Sequence, residues 1–112
     1  MNKEKALILL KEVYKRCNSV FPYGLQDVFL YGSYARGDYD SDSDIDFLVT
    51  VDLSYSEIEK FRRKIAKISS ELSLEYDILV SLHVHPLQQF KEYSTVLPFY
   101  KNILKEGIRY AS

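Results

Sequence analysis

Asp44-Ile45-Asp46 opens a largely apolar run, Phe47-Leu48-Val49-Thr50-Val51. Read as a β-strand, whose side chains alternate sides, it puts Asp44 and Asp46 on one face and Ile45, Phe47, Val49 and Val51 on the other, which suits a core. Strand rise is about 3.3 Å per residue, so the two carboxylates project from one face about 6.6 Å apart along the backbone. Few sequences place two acids at the mouth of a core strand, because charge there needs a partner or a ligand.

What precedes the strand supplies the other half of a site. Asp27-Val28-Phe29-Leu30-Tyr31 is β-prone and ends at Gly32-Ser33, and residues 34–43 then separate Ser33 from Asp44. Glycine admits backbone angles and a close ligand approach that a side chain would block. Ser33 opens a short helical turn through Tyr34-Ala35-Arg36, and a helix start offers N–H groups to a phosphate. Arg36 adds a charged fork able to reach phosphate or to hold the loop. Same-face carboxylates such as Asp44 and Asp46 can share two divalent ions about 3.5–4 Å apart. Mg²⁺ suits them, since it takes oxygen ligands and keeps positions open for substrate phosphates.

Two other motifs are excluded. Gly32 and Gly37 match the outer glycines of a Walker A loop, but Asp38-Tyr39 stand where Lys and Ser/Thr are required. The alternating aspartates 38, 40, 42, 44 and 46 resemble an EF-hand only superficially. Loops begun at Asp38, Asp40 or Asp42 put Ser43, Ile45 or Phe47 at the glycine position and Val49, Val51 or Leu53 at the closing glutamate.

Gly32-Ser33, a ten-residue spacer and Asp44-Ile45-Asp46 in apolar flanks resemble the DNA polymerase β-like nucleotidyltransferase superfamily. Gly-Ser-x-x-Arg-Gly followed by Ser-Asp-Ile-Asp is similar to its minimal, MntA-like branch. The resemblance covers nearly the whole chain and implies an α+β fold, a mixed sheet flanked by helices. It implies ATP as substrate, two Mg²⁺ ions, and phosphates held by Gly32, Ser33 and Arg36, with Ser43 a further nucleotide-site candidate. It also implies a third carboxylate in an apolar setting on the next core strand, a place that Asp77 of Tyr76-Asp77-Ile78-Leu79-Val80 would fill. Asp44, Asp46 and Asp77 are then the metal-binding and catalytic triad. Members of this branch are paired with a helical HEPN ribonuclease, which implies an antitoxin that transfers AMP to a tyrosine of that toxin. The toxin's own pattern, Arg-x4–6-His, is missing here, since neither His83 nor His85 follows an arginine at that spacing. A contact-only antitoxin and a subunit of an aminoglycoside-type transferase remain the alternatives. With 35 residues after Asp77, the second-substrate wall is expected from another chain.

The remaining sequence fits one domain over residues 1–112. At 46% apolar residues it can build a single core. Fifteen basic against 16 acidic residues, net −1, give no general nucleic-acid-binding surface. Cys17 is the single cysteine, no apolar run approaches a membrane span, and no secretory leader is visible, so a reducing cytoplasm is expected.

The periodicity predicts a helix over 3–18 with Ala6, Leu9, Leu10, Val13 and Cys17 inward, and strand two over 45–51. Ser54 and Glu57 form a capping box ahead of one helix carrying Ile58, Phe61, Ile65, Ile68 and Leu72. Its cluster of Lys60, Arg62, Arg63, Lys64 and Lys67 reads as a solvated face. Strand three is expected near 76–82, parallel to strand two, which would set Asp77 beside Asp46. His83 and His85 read as structural or surface residues away from the carboxylates. Helices are expected from Pro86 to about Tyr93 and from Pro98 to Glu106, where Gly107 stops the chain's last turn.

Overall fold

The computed structural model describes residues 1–111. Its elements run α1 (Lys3–Val20), β1 (Leu25–Tyr31), α2 (Ser33–Arg36), β2 (Ile45–Val51), α3 (Tyr55–Glu59), α4 (Arg62–Tyr76), β3 (Val80–Pro86), α5 (Leu87–Tyr93), α6 (Pro98–Glu106) and β4 (Ile108–Arg109). The sheet order is β3-β2-β1-β4, with β2 and β3 parallel and β1 antiparallel to both β2 and β4. This is the mixed sheet flanked by helices that the resemblance implies, and its parallel β2–β3 pair is the one the crossover predicts.

Each face of the sheet follows from strand parity. Val28, Leu30, Ile45, Phe47, Val49, Val51 and Val80 face one way and pack with Ala6, Leu9, Leu10, Val13 and Cys17 of α1 and Ile68 and Leu72 of α4. Cys17 is core filler: burial pushes its thiol up to about 12 against the small lowering effect of Arg16. Phe29 and Leu48 face the other way and meet Phe90 of α5 and Tyr100 and Ile103 of α6. Thr50 is buried on that side, and its hydroxyl accepts the Asp27 N–H at 3.0 Å. α5 and α6 cover only part of this second face, and Asp46 lies at the end they leave open.

The capping box forms as expected, with Ser54 Oγ accepting the Glu57 N–H and Glu57 Oε1 accepting the Ser54 N–H. The single helix expected beyond it is two: the chain turns at Lys60-Phe61 between α3 and α4, and Phe61 stacks at a tilt on Phe21, 5.0 Å between centroids. The basic cluster on this segment is solvent-exposed, as a solvated face requires.

Strand three does not begin at Tyr76. α4 continues through Tyr76, which packs on the first core, and Asp77 ends it in the left-handed region at φ 51°, ψ 47°. The Asp77 and Ile78 amides both donate to the Ser73 carbonyl, a closed helix terminus that holds this stretch out of the sheet. Ser73 Oγ accepts the Val80 N–H at 2.9 Å, and Ser69 Oγ donates to the Val80 carbonyl, so β3 is pinned to start there. Sequence periodicity also passed over β4, two residues held to β1 by pairing and by an Arg109–Asp27 ion pair of 3.3 Å.

Candidate active site

The Gly-Ser turn and the carboxylate strand meet because β1 and β2 are antiparallel neighbours with Tyr31 directly opposite Asp46. Gly32 leaves the strand at φ 78°, ψ −154°, a conformation that L side chains rarely adopt. A Cβ there would stand 3.1 Å from Asp46 Oδ2, so the absence of a side chain lets the carboxylate lie against the turn. The N–H groups of Ala35 and Arg36 donate to the Gly32 carbonyl and close the first turn of α2. Ser33 and Tyr34, as its first residues, have amides without an acceptor inside the helix.

The loop between turn and strand is braced by its own side chains. Tyr34 is buried and stacks on Tyr39 at 4.2 Å, while Lys3 Nζ donates to the Ala35 carbonyl at 2.9 Å. Arg36 Nε donates to Asp38 Oδ2 at 3.0 Å, and Arg36 Nη1 lies 3.8 Å from Glu106 Oε2. Its fork is thus turned to two carboxylates. Ser43 Oγ accepts the Asp40 N–H at 3.0 Å and closes the turn over residues 40–43. Of the residues expected at the nucleotide, Gly32 lies against Asp46 and Ser33 follows it as the first residue of α2, whereas Ser43 bonds within the loop and Arg36 pairs with Asp38 and Glu106.

Asp46 is half-buried and Asp44, just before the strand, is exposed. Burial raises the Asp46 carboxyl above its ordinary range, His83 pulls it back, and Asp44 adds to the rise. Tyr31 feels the same charge: burial first, then Asp46, push its phenol up to about 12. Among the described residues no three His, Cys, Asp or Glu side chains converge as a metal cage. Two carboxylates at one strand mouth, one pressed to a glycine turn, nevertheless match the oxygen donors that Mg²⁺ takes while substrate phosphates complete the shell.

Asp77 does not join them. The β3 residue paired with Asp46 is Ser81. Asp77 is exposed and lines a separate cavity of about 380 Å³ with Met1, Tyr34, Tyr39, Asp40, Ser41 and Ile78. Tyr34, Tyr39 and Ile78 belong to the α1–α4 side of the sheet, opposite the face that carries Asp46. The residue that sequence reasoning placed too far away is His83. It follows Ser81 by two on β3, so it shares the Asp46 face and acts on that carboxyl. The alternation Ser81, His83, His85 contains the signal, but it speaks only once the register is known. His85 is structural, as expected: its Nδ1 is 2.7 Å from the Tyr100 hydroxyl, which also accepts from Gln89 Nε2 at 2.7 Å.

A mixed sheet with a glycine turn set against a carboxylate at the mouth of its neighbouring strand is the architecture of a nucleotidyl-transferring domain. The chain belongs to the nucleotidyltransferase domain family, whose model matches residues 10–110. It is 47% identical over 73 residues to a Methanocaldococcus jannaschii protein named "Putative protein adenylyltransferase MJ0141", covering 65% of this chain and 72% of the relative. A second protein of that organism, MJ0604, carries the same description and is 31% identical over 107 residues, 96% of each chain. Among solved structures, a toxin-antitoxin with AMP-PNP superposes with a TM-score of 0.61 at 22% identity, over 100% of this chain and 75% of the other. A mutant of the toxin-antitoxin MntA-HpeT gives 0.59 at 19% identity, with the same coverage. The protein is therefore an enzyme of the nucleotidyltransferase class with the polymerase β-like fold.

Proposed function

We propose that the protein transfers AMP from ATP to a tyrosine hydroxyl of a helical HEPN ribonuclease and so acts as its antitoxin. The observation that carries this reading is that Asp46 Oδ2 lies within 3.1 Å of where a Cβ on Gly32 would stand, so the turn assigned here to the phosphates and the carboxylate strand are within one substrate's reach. The relatives described as protein adenylyltransferases supply the transferred group and the class of acceptor. The toxin-antitoxin neighbours supply the partner, and the AMP-PNP in one of them supplies the nucleotide.

In this mechanism Gly32 and Ser33 would hold the phosphates, and Asp44 and Asp46 would hold Mg²⁺, two ions being the number the family pattern implies. The metal, when bound, neutralises the triphosphate and the charge that develops on the entering and leaving oxygens. The acceptor oxygen bonds to the α-phosphorus as the bond to the bridging oxygen breaks; pyrophosphate leaves and the hydroxyl proton passes to water. Arg36 and Ser43 keep the loop between turn and strand in shape.

A second reading, an antitoxin that neutralises by contact alone, is favoured by the lack of a three-donor metal cage among the described residues. Labelled ATP, Mg²⁺ and the cognate HEPN protein separate the two. Label on a toxin tyrosine that disappears with Asp44→Asn is the expected result. Neutralisation without label, undiminished by that substitution, would establish the contact-only reading.

A further inference from the structure

One face of α6 opens onto the Gly-Ser turn. Phe99, Asn102, Ile103 and Glu106, spaced three, four and seven residues from the first, line a cavity of about 220 Å³ together with Tyr31, Gly32 and Arg36. Ile103 is buried beneath it, and Phe99 meets Tyr31 edge-on at 5.4 Å while remaining 41% exposed as a residue. Asn102 is exposed at the rim, with an amide that offers both a donor and an acceptor. Phe99 and Asn102 have no part in the transfer chemistry described above, and neither belongs to the buried core.

We infer that this cavity is the nucleobase pocket, with Phe99 as the stacking wall and Asn102 as the group that reads the base edge. The inference rests on the proposed use of ATP and adds what selects it. Size is the first argument: the cavity is below the roughly 300 Å³ at which pockets for drug-sized ligands begin, so it admits a base but not a whole nucleotide. Position is the second. Gly32 lines the cavity and also faces Asp46, so a base seated here leaves its phosphates at the turn and the carboxylates. Chemistry is the third. An aromatic face left open at the mouth of a cleft suits a flat heterocycle, and an asparagine amide can pair with the donor and acceptor edge of adenine. The nucleotide then lies on the β1–α6 side of Asp46, leaving the β3 side, with His83, to the acceptor.

The test compares two ligands on the intact chain with Mg²⁺ by titration calorimetry: AMP-PNP, which has the base, and inorganic tripolyphosphate, which does not. Phe99→Ala should weaken AMP-PNP by roughly tenfold and leave tripolyphosphate unchanged. Phe99→Leu, which keeps most of the packing, should weaken AMP-PNP in the same sense. Asn102→Ala should bring the affinities for AMP-PNP and GMP-PNP towards each other. Asp44→Asn should weaken both AMP-PNP and tripolyphosphate. Unchanged AMP-PNP affinity in both Phe99 variants, or an equal loss of tripolyphosphate, would overturn the pocket while leaving nucleotidyl transfer standing. Wild-type protein that binds neither ligand would overturn the nucleotide reading, and the pocket with it.

Discussion

Asp46 is held where its charge is costly, between Tyr31, Gly32, Asp44 and His83. Its folded-state carboxyl titrates above the ordinary range, chiefly because it is half-buried, with His83 opposing and Asp44 reinforcing the rise. In the unfolded chain it ionises near the usual value of about 4. Between those two values the folded state binds the extra proton. The metal-free protein therefore loses stability as pH climbs through the window, and above it the loss is complete. Asp46→Asn removes the charge with little change of shape. In EDTA at neutral pH this variant should melt higher than wild type, by a few degrees at roughly this domain size, and should lack that part of the pH dependence. Mg²⁺ should raise the wild-type melting temperature and leave the variant unmoved, because a ligand stabilises only the state that binds it. Thermal melts across pH with and without Mg²⁺ check this, and a variant that melts lower than wild type in EDTA at neutral pH would show that the carboxylate is satisfied without metal.

At the scale of elements, the turn from α4 into β3 decides which residues reach the site. Asp77 occupies the left-handed region at φ 51°, where a residue with a Cβ costs about 1–2 kcal/mol relative to glycine. Asp77→Gly should therefore stabilise the protein by up to about 1 kcal/mol in denaturant unfolding, and Asp77→Val should destabilise it by about 1–2 kcal/mol. Asp77→Asn should keep label transfer within about threefold of wild type, because the side chain lies on the opposite side of the sheet from Asp46. A hundredfold loss in Asp77→Asn with an unchanged melting temperature would return Asp77 to the metal site. The same turn marks where the sequence stopped being legible. Strand two, an apolar run opened by Asp44-Ile45-Asp46, and the capping box at Ser54 are local patterns and could be read directly. Tyr76-Asp77-Ile78-Leu79-Val80 has an apolar rhythm that fits either the end of a helix or the start of a strand. Only tertiary bonds from Ser69 and Ser73 to Val80 choose between them. His83 was missed for a related reason: its place beside Asp46 depends on the β2–β3 register, which follows from that same choice. The α6 face was legible as a spacing, but not as the wall of a cavity, because Tyr31 and Gly32 come from 67 or more residues away.

The molecule as a whole is one sheet with two unequal coverings, and they should do different work. α1 and α4 bury the first face over β1 and β2, with Leu82 and Val84 of β3 only partly covered, whereas α5 and α6 pack on the second around Phe29 and Leu48. Phe90 anchors that smaller layer, 5.6 Å from Phe29 and 5.1 Å from Tyr100, and Tyr100 in turn packs beside Phe99 at 5.6 Å. Leu9 holds the larger layer and is fully buried in it. Truncating either side chain removes well-packed core, so Phe90→Ala should cost about 3–5 kcal/mol and Leu9→Ala about 2–5 kcal/mol. Against a total of roughly 5–15 kcal/mol both variants will be marginal, and ligand binding must be measured in the cold, where circular dichroism shows each still folded. Under those conditions Leu9→Ala should retain wild-type affinity for AMP-PNP. Phe90→Ala should lose several-fold, because the helix that carries Phe99 and Asn102 has lost its anchor while the Gly32 turn has not moved. Tripolyphosphate affinity should be unchanged in both. If Leu9→Ala weakened AMP-PNP as much as Phe90→Ala does, the two coverings would act as one cooperative body and the smaller layer would have no separate hold on the nucleotide.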